Sequence, residues 1–222
     1  MKRHLQLTAD GSHTIQIEDL QVTYHSKHGA IQESKHVFID AGIAYLQQMN
    51  NLSEVRILEM GFGTGLNALL TAIFSDQMDL RVNYHSIEAF PLATDEVSLL
   101  NYGSLLQQEA IFALLHTAHW NTATTIHPKF ELYKHHSKLD TFVSAENFNL
   151  IYYDAFAPTA QPELWTVEVF EKLYRLLAPE GILVTYCSKG AVRRAMEVAG
   201  FRVTKLQGPP GKREMVRAFR DH

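Results

Sequence analysis

The stretch Glu59-Met60-Gly61-Phe62-Gly63-Thr64-Gly65-Leu66-Asn67 places glycines at alternate positions, with a carboxylate two residues ahead of the first. Glycines spaced this way after a strand let a backbone approach a ligand closely, with a helix N-terminus beyond. A dinucleotide turn is spaced G-x-G-x-x-G and cradles a pyrophosphate, which Glu59 would repel. The same carboxylate accepts a hydrogen bond from an ammonium, which favours the methionine end of S-adenosylmethionine. Glu59, Gly61, Phe62, Gly63, Gly65 and Asn67 are therefore one half of a candidate cofactor site. Glu88 and Ala89 form the other half, because an acidic residue closing the next strand, 23 residues after Gly65, is placed for ribose hydroxyls.

Asp154 and Phe156 lie in Tyr152-Tyr153-Asp154-Ala155-Phe156-Ala157-Pro158, at the end of a further apolar run. A carboxylate at the carboxyl edge of a parallel sheet can face the cofactor, orient an amine nucleophile and take its proton, while Phe156 walls the acceptor. The plain alternatives are a tight turn for the glycines, an exposed strand end for Glu88 and a turn cap for Asp154. The twelve histidines are scattered, His135-His136 included, and no His, Cys or Asp cluster has metal spacing.

To position these residues the chain needs strands alternating with helices. Strands are predicted over Val55–Glu59, Val82–Glu88, Phe130–Lys134, Phe148–Tyr153, Ile182–Tyr186, Phe201–Leu206 and Glu214–Phe219. Helices are predicted over Val37–Met49, Leu66–Ser75, Pro162–Leu177 and Gly190–Ala199. This is an α/β reading: a Rossmann-like, mostly parallel seven-stranded sheet of the class I S-adenosylmethionine-dependent methyltransferase kind. An antiparallel C-terminal hairpin closes it, and an N-terminal β-hairpin extension turns at Asp10-Gly11. Phe90 to Pro128 separates two strands and reads as a helical insertion. At 222 residues a single domain, 1–222, is expected, with residues 1–50 as the extension and 51–222 as the core.

Composition narrows the classes. No apolar run reaches the roughly 20 residues that span a bilayer. The N-terminus lacks a signal-peptide core, and one cysteine, Cys187, fits a reducing cytoplasm. Net charge is −4, yet the chain from Tyr186 onward holds nine Lys and Arg against three Asp and Glu. A basic end on an acidic body suits phosphate contacts on one side, or simply a solvated helix face with a charged hairpin.

With these motifs assembled, the chain resembles the methyltransferase family that makes 5-methylaminomethyl-2-thiouridine at the tRNA wobble position. Besides Glu59 to Asn67 and Asp154 to Pro158, the resembling blocks are Tyr24-His25-Ser26, Glu33 to Phe38, Glu88 to Leu92, Pro162-Glu163-Leu164-Trp165, Ser188 to Arg194 and Gly211-Lys212-Arg213-Glu214-Met215. The resemblance implies methylation of the aminomethyl nitrogen at position 34 with S-adenosylmethionine. It places Asp154 and Phe156 at the acceptor and Glu88 at the ribose. Because the chain stops at His222, it also implies no FAD-dependent oxidase domain, no FAD and no metal, with a separate enzyme installing the aminomethyl group. Arg193, Arg194, Lys212 and Arg213 are expected to hold phosphates of the tRNA anticodon stem-loop, in the cytoplasm, with no DNA or membrane partner. The sequence departs from the family in having Ala155 where glycine is common and His135-His136 where a Gly-Asp pair is common. Rival readings are a small-molecule amine methyltransferase or aminopropyltransferase on the same fold, and a non-catalytic tRNA-binding module.

Overall fold

The computed structural model describes residues 2–221. A three-stranded antiparallel sheet comes first, made of β1 (Arg3–Leu7), β2 (His13–Ile17) and β3 (Val22–Thr23). The main sheet contains β4 (Glu54–Met60), β5 (Arg81–Glu88), β6 (Ala123–His127), β7 (Phe130–His136), β8 (Phe148–Tyr153), β9 (Leu177–Thr185), β10 (Arg202–Gln207) and β11 (Glu214–Phe219). Its order is β10-β11-β9-β8-β4-β5-β7-β6. The pairs from β7 across to β9 are parallel, whereas β11 runs antiparallel to both its neighbours. From β4 the chain winds to β5 and β7 on one side and then to β8 and β9 on the other. The crevice at this switch point lies beyond the carboxyl ends of β4 and β8, where ligands bind such sheets.

The sheet has eight strands rather than the seven expected. The eighth, β6, pairs antiparallel with β7 at the edge. Only Ile126 of its five residues is buried, so it offers no apolar run to read. The stretch expected to be a helical insertion thus holds the short helices Thr94–Ser98, Tyr102–Leu105 and Glu109–Thr117, followed by a strand. The helix predicted from Pro162 is also divided. A 3-10 turn, Pro162–Trp165, precedes the helix Val167–Leu176, because Thr166 is extended and its hydroxyl accepts the Val169 N–H.

Both faces of the sheet are covered, so its central strands are apolar on both sides. Ile57, Leu150 and Val184 face one core, which includes Val37 and Phe38 of the helical stretch at 30–50 and Leu69 of the helix Leu66–Gln77. Leu58, Ile151 and Leu183 face the other, under the helices Val167–Leu176 and Gly190–Val198. Within 30–50, Lys35–Ala44 is wound as π-helix. It packs close to the sheet at Gly42, where a Cβ would stand 3.0 Å from the Tyr152 ring.

Candidate active site

The turn after β4 is held by its own backbone. The N–H of Gly61 donates to the Ile87 carbonyl at 2.9 Å, that of Gly63 to Glu88 Oε2 at 3.0 Å, and that of Gly65 to the Phe62 carbonyl at 2.8 Å. Gly61 and Gly63 have φ of 90° and 50°, in the left-handed half of the map that a side chain rarely adopts. A Cβ on Gly63 would also lie 2.9 Å from the Tyr24 ring, so the turn leaves a backbone-lined cradle. The Phe62 ring lies edge-on to His116 and Trp120, and the buried Lys134 ammonium sits 5.0 Å from its centre.

Two carboxyls lie under this cradle. Glu59 is wholly buried and accepts the Ser86 hydroxyl at 2.7 Å, while its Oε1 has no partner. Burial pushes its carboxyl up to about 8, and the charge of Asp154 adds to the rise against the Ser86 hydrogen bond. Asp154, just past β8, accepts the Asn67 side-chain amide at 2.9 Å; burial pushes it up to about 7. Asn67 Oδ1 and Thr64 Oγ1 are buried without partners as well. Unpaired acceptors in a buried pocket call for a donor from outside, and an ammonium supplies three.

A cavity of about 580 Å³ opens beside these groups, a size that holds a nucleoside joined to an amino acid. Gly61, Phe62, Gly63, Asn67, Glu88, Ala89, Asp154 and Phe156 all line it; Glu59 and Gly65 stand behind that wall. Glu88 Oε1 also accepts the Phe90 N–H at 2.8 Å, and each of its oxygens keeps a lone pair for a hydroxyl. Eight of the predicted cofactor and acceptor residues thus share one cavity wall, with Glu59 and Gly65 behind it, and the donors and acceptors there fit S-adenosylmethionine.

Two parts of the wall lie outside the predicted set. After β7 the lining is Lys138, Leu139 and Asp140, whereas His135 stacks on Tyr133 and His85. The only signal for these residues is their place just beyond a strand of the switch region. The second part is the N-terminal sheet, which contributes Arg3, Tyr24 and His25. Tyr24 meets Phe156 edge-on at 5.1 Å, and Arg3 reaches across to Glu96 at 2.8 Å and the Phe90 carbonyl at 3.1 Å. The spacing of Tyr24-His25-Ser26 alone assigns that block no chemistry; the fold does.

The four cations expected on phosphates do not share one fate. Arg194 and Arg213 are exposed. Arg193 is half-buried, its Nε on the Ser188 carbonyl at 3.2 Å, and after the Lys205 hydrogen bond both Arg213 and Arg193 help hold the Glu214 carboxyl below its ordinary value. Lys212 points inward, 2.5 Å from Glu33 Oε1 and 3.8 Å from the centre of the Tyr186 ring. Its ammonium is committed to a buried carboxylate, which corrects the expectation for this residue. Among the described residues no three His, Cys, Asp or Glu stand together as a metal site, and no helix is long and apolar enough to cross a membrane.

Residues 120–221 match the family described as S-adenosyl-L-methionine-dependent methyltransferase. The chain is 32% identical over 215 residues to the tRNA 5-methylaminomethyl-2-thiouridine biosynthesis bifunctional protein MnmC of Ectopseudomonas mendocina, an alignment covering 87% of this chain and 31% of that one. The MnmC of Pseudomonas aeruginosa is 29% identical over 221 residues, with the same coverage. The chain thus spans about a third of the length of these curated relatives. Among solved structures, MnmC2 from Aquifex aeolicus superposes with a TM-score of 0.82 at 26% identity, over 98% of this chain and 70% of that one. A spermidine synthase in complex with a transition-state analogue shares the fold alone, at a TM-score of 0.52 and 14% identity over 98% of this chain and 71% of that one.

Proposed function

The chain belongs to the S-adenosyl-L-methionine-dependent methyltransferases, in the group that holds the MnmC proteins, and from that premise we propose that it methylates the aminomethyl nitrogen of 5-aminomethyl(-2-thio)uridine at wobble position 34 of tRNA. The observation that carries the reading is the place of Asp154. It stands where the cofactor cradle meets the edge-on pair of Phe156 and Tyr24 in the cavity wall.

In this reading Glu59 and Asn67 take the ammonium of the methionine part, Glu88 the ribose hydroxyls, and Leu139 and Asp140 the adenine side. When bound, S-adenosylmethionine would supply a methyl carbon on a positively charged sulfur, open to displacement by the amine nitrogen with the sulfur keeping the bonding electrons. Such a carbon is already activated, so the protein's part is to position the amine and remove its proton. Asp154 accepts that proton, which an alkylammonium otherwise keeps to well above neutral pH. Phe156 and Tyr24 hold the uracil, and a base from a single-stranded loop is splayed out at low cost. The chemistry asks for neither FAD nor a metal. Its substrate comes from a reaction that leaves a primary amine on the uridine, and the reading places the work in the cytoplasm. Arg193, Arg194 and Arg213 then lie on the side that meets the anticodon stem-loop.

The test is methyl transfer from S-adenosylmethionine to tRNA carrying 5-aminomethyluridine, read by mass after digestion to nucleosides. The wild type should add one methyl to that nucleoside. Asp154→Ala should be slower by roughly 10²-fold or more, the usual contribution of a general base, while still binding S-adenosylhomocysteine. Methylation of free amines with tRNA untouched would sink the substrate assignment.

A further inference from the structure

The last of the short helices between β5 and β6, Glu109–Thr117, ends against the glycine turn. His116, in its final turn, has Nε2 3.1 Å from the Thr64 carbonyl. A carbonyl only accepts, so Nε2 carries the proton and donates. Burial pushes His116 down to about 4, so near neutral pH the ring has that one proton and Nδ1 has none. The Thr64 carbonyl belongs to the same peptide unit as the Gly65 N–H, which donates to the Phe62 carbonyl at 2.8 Å. One peptide plane in the middle of the cradle is thus held at both ends. The residue that follows it, Gly65, has φ of 71°, and glycine lets such a plane turn over at little steric cost. Gly65 also makes room for the ring, since a Cβ there would lie 2.9 Å from His116 Nε2.

The helix end that carries His116 is itself fixed from the sheet. The last carbonyls of a helix have no partner within it. Those of Leu115 and His116 accept from Lys134 Nζ of β7 at 2.9 and 3.0 Å, and a cation at this end also meets the negative pole of the helix. Lys134 is 1% exposed, with its ammonium 5.0 Å from the centre of the Phe62 ring and 4.7 Å from that of Trp120. Burial pushes it down to about 8, which leaves it mostly charged at neutral pH. We propose that His116, seated by Lys134, is a positioning residue for the cofactor: its ring N–H fixes the Thr64–Gly65 peptide and so sets the shape of the cradle before S-adenosylmethionine arrives. The inference rests on the reading of the cradle as the cofactor's and is independent of which amine is methylated. It gives the helices at 94–117 a task in the reaction, although His116 is not part of the cavity wall.

The donor and the ring can be separated by substitution. His116→Phe keeps the aromatic contacts with Phe62 and Phe112 and removes the N–H. His116→Gln removes the ring and can place an amide N–H where Nε2 stands. Calorimetry with S-adenosylhomocysteine should show affinity about fivefold weaker in His116→Phe, the worth of one ordinary hydrogen bond, and within about twofold of wild type in His116→Gln. A ring that only packs would give the reverse order. Nitrogen-15 shifts of the His116 ring, read on the wild type at neutral pH, should place its proton on Nε2, a measurement that stands even if His116→Phe does not fold. Equal affinities in His116→Phe and wild type, a loss in His116→Gln as large as in His116→Phe, or a proton on Nδ1 each overturn the proposal. A wild type that binds no S-adenosylhomocysteine overturns it together with the cofactor reading on which it rests.

Discussion

Glu59 and Asp154 are two carboxyls that the fold buries close enough to repel, each short of a partner or held by a single neutral donor. Both folded values lie above the ordinary 4.5 and 3.8, at about 8 and about 7. In that window the native protein holds protons that the unfolded chain has released, so stability is greatest below the ordinary values and is lost as pH rises through the folded ones. Glu59→Gln removes one ionisable member and should flatten the fall in melting temperature across the window. S-adenosylhomocysteine, with its own ammonium, should reduce the fall in the wild type. An unchanged pH slope in Glu59→Gln would show that Glu59 is ionised in the cofactor-free protein. The types and spacing of these residues are legible in the sequence. The inward turn of Lys212 is not, because its partner Glu33 lies 179 positions away and nothing local distinguishes it from the exposed Arg213.

The glycine turn is the element on which cofactor binding rests. Gly63→Ala adds strain at a φ of 50° and a contact 2.9 Å from the Tyr24 ring. A left-handed residue with a side chain costs about 1–2 kcal/mol, so affinity for S-adenosylhomocysteine, measured by calorimetry, should weaken about tenfold or more. Affinity equal to wild type would mean that the turn does not approach the ligand. Elements with strong patterns are legible: the strands at β4, β5, β8 and β11 and the helices around 66–77 and 190–198 fall within a residue or two of their expected ends. Elements whose form depends on a neighbour are not. β6 exists because β7 offers an edge, and the break at Thr166 reflects a side-chain cap inside one hydrophobic stretch.

At the scale of the molecule, charge is unevenly shared. Arg194 and Arg213 are exposed, and Arg193 and Arg213 both act on Glu214. Reversing Arg193 and Arg194 to Glu together should weaken tRNA binding and reduce its salt slope by about one for each phosphate no longer neutralised. Binding of S-adenosylhomocysteine should be unaffected, since neither arginine lines the cavity. An equal fall in both affinities would point to a damaged fold instead of a weakened hold on RNA.

The site is also closed by segments far apart along the chain: Arg3 meets the Phe90 carbonyl over 87 positions, Asn67 meets Asp154 over 87, and Glu33 meets Lys212 over 179. Contacts of such separation form slowly, because the loops between them must be ordered first. On the ribosome the cradle around Gly63 can assemble well before Lys212 has emerged. A nascent chain would therefore hold the nucleotide half of its pocket before the acceptor end is built, and competence to react would arrive only once β8 and the residues Asp154 and Phe156 beyond it have been synthesised.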